Sequence, residues 1–332
     1  MKVMVAGSGA WGTALAISLV RNGHDVTLWS HNGEKARQME ESRINPALKG
    51  VALPAELKIS GDARDAAGKA IVVIASPSFA IRGVCRTVAP YLDEDVVMVS
   101  VTKGIEPGTL LRMSQIVEEE TRRQVVVLTG PSHAEEVSRG VPTAIVAACP
   151  DKAKAELVQD VFMSESLRIY TSPDIVGAEL GGAIKNVIAL CAGVTDGVGC
   201  GDNTKAMLMT RGLTEMARLG VSMGATRESF SGLAGVGDLI VTCTSKHSRN
   251  NRAGNLIGQG MSVAEAMEHS GGVVEGYYAA KAVCELAQRQ NVEMPIIEAA
   301  YGVLYEGHSV QDVLNSLMLR RRKAESEDAS WG

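Results

Sequence analysis

The sequence predicts an α/β protein: a doubly wound, mostly parallel sheet over residues 1–172, followed by an all-α half over 173–320. Three observations carry that prediction. A glycine-rich turn joins an apolar run at the N-terminus to a helical stretch; short β-branched runs alternate with helical segments as far as Thr171; and such runs vanish after Ser172-Pro173-Asp174, a break with helix-start character. Strands alternating with helices imply parallel pairing, with crossover helices covering both faces of the sheet.

The first element, Lys2-Val3-Met4-Val5-Ala6, reads as a buried strand, Gly7-Ser8-Gly9-Ala10-Trp11-Gly12 as a tight turn, and Thr13 to Val20 as an apolar helix closed by Arg21-Asn22-Gly23. Gly23 suits a helix C-terminal cap, and Asp25-Val26-Thr27-Leu28-Trp29 supplies the second strand of a βαβ unit. A bare G-x-G-x-x-G is most often an ordinary turn; between that strand and that helix it is a dinucleotide fingerprint. Gly7 permits the turn, Gly9 lets backbone approach a pyrophosphate, and Gly12 lets helix and strand pack closely. The helix N-terminus then points its free N–H groups and positive dipole end at the phosphates. This half is therefore Rossmann-like.

After the second strand comes Ser30-His31-Asn32-Gly33, where NAD-preferring sites place an acidic residue on the adenosine ribose. No carboxylate opposes a 2′-phosphate there, and His31, Lys35 and Arg37 could accompany one. The pattern favours NADP, or both NADP and NAD. Lys35 and Arg37 fit solvated positions on a surface helix equally well.

Further strands are predicted at Leu57–Ser60, Ala70–Ala75, Val96–Val101, Gln124–Thr129, Thr143–Ala148 and Leu167–Thr171. Ligands of such sheets bind beyond the carboxyl ends of the strands. Three of those ends are polar: Ser76-Pro77-Ser78, Thr102-Lys103-Gly104 and Gly130-Pro131-Ser132-His133. Lys103 stands where it could polarise a carbonyl or hold an anion, although loop lysines are common. Ser132 and Glu135 have capping-box spacing and predict a helix start whose N–H groups face substrate oxygens.

In the second half helices are predicted at Ile175–Val194, Lys205–Gly220, Ser262–His269, Gly276–Gln290 and Ile296–Tyr305. Lys185 lies on the first, after Gly177, Gly181 and Gly182. Helix-interior glycines cost about 1 kcal/mol each relative to Ala, so close approach of a backbone or ligand is expected there. Lys185 is either a partly desolvated amine of lowered pKa, suited to proton transfer, or a snorkelling lysine at a helix rim. The stretch Gly235 to Arg252 is the densest polar run of this half. Its Ser248, Arg249 and Asn250 form a donor set suited to a phosphate; Asp238 could anchor a substrate hydroxyl or pair with a lysine. A plain surface loop is the alternative.

A length of 332 residues accommodates two domains, and 45% hydrophobic with 21% charged residues fits a globular protein and argues against disorder. A net charge of −5 gives no electrostatic case for nucleic acid. No apolar run is read as reaching the ~20 residues of a bilayer span, and the immediate first strand leaves no room for a signal peptide. A cytoplasmic protein without membrane insertion is expected. The six cysteines lack C-x-x-C spacing, so neither a metal site nor a disulfide framework is suggested. Residues 321–332, charged and apolar-poor, read as a frayed tail.

Taken together, Gly7-Ser8-Gly9-Ala10-Trp11-Gly12-Thr13-Ala14-Leu15, Thr102-Lys103-Gly104-Ile105-Glu106, Gly130-Pro131-Ser132-His133-Ala134, Lys185-Asn186-Val187, Gly237-Asp238-Leu239 and Ser248-Arg249-Asn250 resemble the bacterial-type NAD(P)-dependent glycerol-3-phosphate dehydrogenases. The resemblance covers nearly the whole chain. It implies a second half like the C-terminal domain of 6-phosphogluconate dehydrogenase and a homodimer joined through that half. It also implies reversible hydride transfer between the nicotinamide and dihydroxyacetone phosphate, giving sn-glycerol 3-phosphate for glycerophospholipid synthesis. Implied cofactor contacts are Gly7, Gly9, Ala10, Trp11, Gly12, His31, Lys103, Ala134, Arg249, Val273 and Glu275. Implied substrate contacts are Lys103, Gly130, Ser132, Lys185, Asp238, Ser248, Arg249 and Asn250, with Lys185 the catalytic proton acceptor and Lys103 and Asp238 beside it. Two departures stand out: Asn251, where relatives often carry a second arginine, and Ala10, where many have Ser.

Overall fold

The computed structural model describes residues 1–322 and 324–325. Of the tail read over 321–332, Lys323 and residues 326–332 lie outside the described residues. Eight strands form one sheet: β1 (Lys2–Ala6), β2 (Asp25–Trp29), β3 (Lys58–Ser60), β4 (Ile71–Ile74), β5 (Val97–Ser100), β6 (Val125–Thr129), β7 (Thr143–Ala148) and β8 (Leu167–Ser172). Each lies within one residue of its predicted ends. The order is β3-β2-β1-β4-β5-β6-β7-β8, and every neighbouring pair is parallel except β6 and β7. Val3 of β1 is in register with both Val26 and Ile71. The order of strands reverses there, which opens a crevice beyond the carboxyl ends of β1 and β4.

Alternation of side chains along each strand splits the core of the sheet into two layers. Val3, Val5, Val73 and Val99 face α1 (Ala10–Arg21), α2 (Gly33–Ser42), α5 (Ala134–Val137) and α6 (Lys152–Phe162), whereas Met4, Val72, Ile74 and Met98 face α3 (Ile81–Val88) and α4 (Met113–Thr121). The predicted C-cap of α1 forms at Gly23 (φ +78°): its N–H donates to the Val20 carbonyl and that of His24 to Leu19, the paired bonds of a Schellman motif.

Beyond Ser172 the elements are helical, beginning with α7 (Ile175–Val198), whose first turn is capped by Asp174 accepting the Gly177 N–H at 2.8 Å. α7 corrects one expectation. It is 24 residues long and apolar enough to cross a bilayer by length and composition, yet it is the central core helix, with most of its apolar window buried inside the protein. Around it lie α8 (Asp202–Ser222), α9 (Arg227–Phe230), α10 (Asp238–Thr244), α11 (Arg249–Gly258), α12 (Val263–His269), α13 (Glu275–Arg289), α14 (Pro295–Tyr305) and α15 (Val310–Met318). All five predicted helices recur, with ends shifted by at most four residues. The polar run from Gly235 to Arg252 is not a loop: a π-helical turn (Leu233–Gly237) enters α10 directly, and α11 follows after four residues.

Reciprocal glycines set the crossing of α7 and α11. A Cβ on Gly193 or Gly197 would strike the carbonyls of Asn251 and Asn255, and one on Gly254 or Gly258 those of Leu190 and Val194. Close backbone approach is thus the reason for helix glycines that would otherwise only weaken the helices. Gly83, on the exposed side of α3, has nothing within 4 Å of where a Cβ would stand. Gly83→Ala is therefore expected to stabilise the protein by about 0.5–1 kcal/mol, and Gly254→Ala to destabilise it by about 1–3 kcal/mol through overpacking. Urea unfolding midpoints moving in the same direction for both would contradict this packing.

Candidate active site

The glycine turn divides its labour as its spacing predicts. Gly7 sits at φ +137° with the Ala75 carbonyl where a Cβ would go, and a Cβ on Gly12 would strike the Gly7 carbonyl. Nothing lies within 4 Å of a Cβ on Gly9, which caps α1 with no side-chain bond of its own. The first N–H groups of α1, at Ala10 and Trp11, therefore face an open approach, as a pyrophosphate requires. Asn45, fully buried, holds the turn from behind: its amide donates to the Ser8 carbonyl at 3.1 Å and the Thr13 hydroxyl at 2.7 Å. Nothing in the irregular stretch around Asn45 signals that role in the sequence.

His31 is exposed beyond β2, whose last carbonyl, Trp29, accepts the Gly7 N–H. Asn32 caps α2 by accepting the Lys35 N–H at 3.0 Å. The two readings of Lys35 and Arg37 separate here. Arg37 is a surface residue paired with Glu34, whereas the half-buried Lys35 Nζ donates to the Ser8 carbonyl at 3.1 Å. Burial pushes the Lys35 ammonium below the usual lysine range.

At the centre of the site one carboxylate joins two lysines. Asp238, 1% exposed at the start of α10, accepts from Lys103 Nζ at 2.6 Å and, with its other oxygen, from Lys185 Nζ. Lys103 reaches it from the loop after β5 and also donates to the Gly130 carbonyl at 3.3 Å. Lys185, 6% exposed on α7, donates as well to the Thr242 hydroxyl at 2.7 Å, which donates in turn to the Asp238 carbonyl. The snorkelling alternative is thereby excluded. Burial pushes the Lys185 ammonium down to about 7; Asp238 opposes that shift and Lys103 adds to it. For Asp238, burial raises the carboxyl, but Lys103 and Lys185 outweigh it and hold it below its ordinary range. Thr242 was not singled out from sequence; its spacing, four residues after Asp238 on one helix face, is the signal once α10 is recognised.

Of the other predicted residues, Asn250 is tied to the neighbour of Lys185, and the rest are held by separate links. Asn250 Nδ2 donates to Asn186 Oδ1 at 2.9 Å, and its own oxygen accepts the Gly276 N–H at 2.8 Å. Ser248 caps α11 by accepting the Asn251 N–H at 3.2 Å, which leaves its O–H free to donate. Asn251, the departure from the expected arginine, ties α11 to the Cys243 carbonyl at 3.1 Å. Arg249 is exposed beside Gly272, next to half-buried Val273. Glu275 reaches across to the sheet, accepting from Ser78 N–H at 3.2 Å and Ser78 Oγ at 2.6 Å; burial raises its carboxyl.

One local expectation fails. α5 begins at the buried Ala134 with His133 at its N-cap. Ser132 Oγ donates to the Gly130 carbonyl at 2.9 Å, so no Ser132–Glu135 capping box forms. The cause is register: with His133 at the N-cap, Ser132 stands one residue before the cap and Glu135 at the second helical position, not the third. Buried polar atoms normally have partners, yet Ser76 Oγ, Thr129 Oγ1 and His133 Nε2 have none. All three lie at or just past the carboxyl ends of β4 and β6, where ligand groups are expected. Burial, and next the Lys185 charge, push the His133 imidazole below its ordinary range.

Comparison with known proteins agrees with this architecture. Residues 2–155 match the model of the NAD-dependent glycerol-3-phosphate dehydrogenase N-terminus, and residues 174–315 match that of the C-terminus. The chain is 52% identical to a glycerol-3-phosphate dehydrogenase (NAD(P)+) of Pelotomaculum thermopropionicum over 99% of its own length and 96% of the relative's. It is 48% identical to one of Bacillus subtilis over 98% and 96%. Among solved structures, glycerol-3-phosphate dehydrogenase from Coxiella burnetii superposes with a TM-score of 0.92 at 35% identity, covering 96% of this chain and 99% of that one. A D-mandelate dehydrogenase bound to NADH shares the fold alone, at 14% identity and a TM-score of 0.65. The chain belongs to the NAD-dependent glycerol-3-phosphate dehydrogenase family.

Proposed function

We propose that this enzyme interconverts dihydroxyacetone phosphate and sn-glycerol 3-phosphate, and that its product feeds glycerophospholipid synthesis. The observation that carries the reading is the buried Lys185 amine, depressed to about 7 and aligned by Asp238 and Thr242. When bound, the nicotinamide supplies a hydride to substrate C2. Gly7, Gly9, Gly12, Ala10 and Trp11 would hold its pyrophosphate end, with His31, Lys103, Ala134, Arg249, Val273 and Glu275 along its length.

In reduction the C2 oxygen gains the electron pair of the broken carbonyl π bond. Lys185 ammonium stabilises that charge and gives the oxygen its proton, leaving a neutral amine. In oxidation the neutral amine takes the hydroxyl proton back. Asp238 keeps Lys185 oriented, and Lys103 holds a substrate oxygen at the mouth of the same cluster. Gly130 and Ser132 line that mouth, while Ser248, Arg249 and Asn250 grip the phosphate away from the hydride path. A sheet domain over 1–172 and a helical domain over 173–320, dimerisation through the latter and a cytoplasmic location belong to the same reading.

Lys35 refines the cofactor assignment. Its amine, bonded to the Ser8 carbonyl, stands between the glycine turn and the end of β2, where the adenosine ribose of a dinucleotide lies. That placement supports a preference for NADP over NAD.

Three outcomes follow. The rate of NADPH oxidation with dihydroxyacetone phosphate should fall as pH rises through about 7, because the ammonium is lost, whereas glycerol 3-phosphate oxidation should rise through the same range. Lys185→Ala should abolish both limbs and lower turnover by ~10²-fold or more while leaving NADPH affinity intact; unchanged turnover removes Lys185 from the mechanism. Lys35→Ala should raise the KM for NADPH by about tenfold, the loss of a charge-assisted contact, and leave that for NADH unchanged. Equal effects on both cofactors would discard the 2′-phosphate assignment.

A further inference from the structure

A buried carboxylate that the proposed mechanism does not use lies two turns before Lys185. Glu179 is 6% exposed and accepts from the Ser114 N–H and Ser114 Oγ, each at 2.7 Å, and from the Arg112 guanidinium. Arg112 and Ser114 stand where the loop after β5 ends and α4 begins. Lys103 is near the start of that same loop. Burying an ion pair is costly, and such a pair is weak evidence for stability.

α7 meets the loop along one ridge. Glu179, Gly182 and Lys185 are spaced three apart and so are successive neighbours on the helix surface. Glu179 grips the far end of the loop. A Cβ on Gly182 would stand 3.1 Å from Thr129 Oγ1 and 3.4 Å from Lys103 Cγ, so the lysine stem packs against the helix at that glycine. Lys185 meets the Lys103 amine through the shared Asp238 carboxylate. The far end of the loop returns beside its start: Ile105 pairs with Arg112 in an antiparallel bridge and the Glu106 N–H donates to the Leu111 carbonyl at 2.9 Å, so the clamp at Arg112 acts two residues from Lys103, while Glu106 also pairs with Arg82 of α3 at 2.7 Å.

We propose that Glu179 is a positioning residue: by clamping the far end of this loop to α7 it fixes where the Lys103 amine sits, and so how Asp238 is shared between the two lysines. This deepens the reading given above and rests on it. The groups that face Lys185 are Asp238 and Lys103, with His133 and Cys243 nearby; those that face Glu179 are Arg112 and Glu118. Lys103 is the nearby cation. If it withdraws, Lys185 loses a repelling charge and gains more of the carboxylate, and both effects favour the ammonium.

The test compares Glu179→Gln, Lys103→Ala and the double variant in the full-length enzyme, following glycerol 3-phosphate oxidation against pH. Glu179→Gln keeps the side-chain volume and one acceptor oxygen. Its rising limb should move to higher pH by about half a unit or more, in the direction Lys103→Ala moves it. In the Lys103→Ala background Glu179→Gln should add no further shift. An unmoved limb in Glu179→Gln, with only the thermal midpoint lowered, would make Glu179 a purely structural residue; additive shifts would show that it does not act through Lys103. Arg112→Met, which breaks the clamp from the other side, should reproduce the Glu179→Gln profile if the first variant fails to fold. If instead the wild-type enzyme does not turn over glycerol 3-phosphate at all, the underlying reading of the site fails, an outcome distinct from any of these.

Discussion

One carboxylate shared by two amines organises this molecule. Asp238 is buried, and a buried carboxylate is tolerated only when paired and hydrogen-bonded. Its two oxygens take Lys103, carried by the sheet, and Lys185, carried by the central helix. The contact therefore does two things at once. It ties the carboxyl edge of the sheet to the helical layer, and it leaves two cations to compete for one anion. A buried amine that shares its counter-charge holds its proton loosely, and burial loosens it further. That is how a lysine becomes useful near neutral pH.

The surrounding architecture makes that arrangement reproducible. The reciprocal glycines of α7 and α11 bring those backbones together, so Asn250 at the start of α11 reaches Asn186, next to Lys185. The α10 start holds Asp238 directly after a π-helical turn, an irregularity frequent at functional sites. Across the crevice, Ser78 and Glu275 connect the end of β4 to the start of α13. Each link is individually modest. Together they hold the lysine pair at the carboxyl edge of the sheet.

The sheet was legible in the sequence because its strands are short β-branched runs punctuated by turn residues, a local signal. The glycine turn was legible for the same reason. Its three positions behave differently in the structure, with Gly7 and Gly12 closed by backbone and Gly9 open. Less legible was the stretch from Gly235 to Arg252. Its polar composition suggests a loop, yet Asp238, Thr242 and Asn250 are buried and its helices are stabilised by tertiary contacts rather than by local pattern. Asn45 and Glu179 gave no sequence signal, because their value lies in partners 32 and 65 residues away. Ser132 misled in the opposite sense. Its spacing to Glu135 fits a cap, but the helix starts one residue later, with His133 at the N-cap. The apolar length of α7 was underestimated because its glycines and polar residues interrupt the run, although the helix as a whole is apolar.

Proton transfer by Lys185 requires its amine to lie against the substrate's C2 oxygen. A crystal structure with oxidised cofactor and glycerol 3-phosphate bound together would measure that distance. Lys185 Nζ is expected within hydrogen-bond distance of the C2 oxygen while still paired with Asp238. A substrate bound with that oxygen well beyond reach of the amine, or facing Lys103 alone, would contradict it.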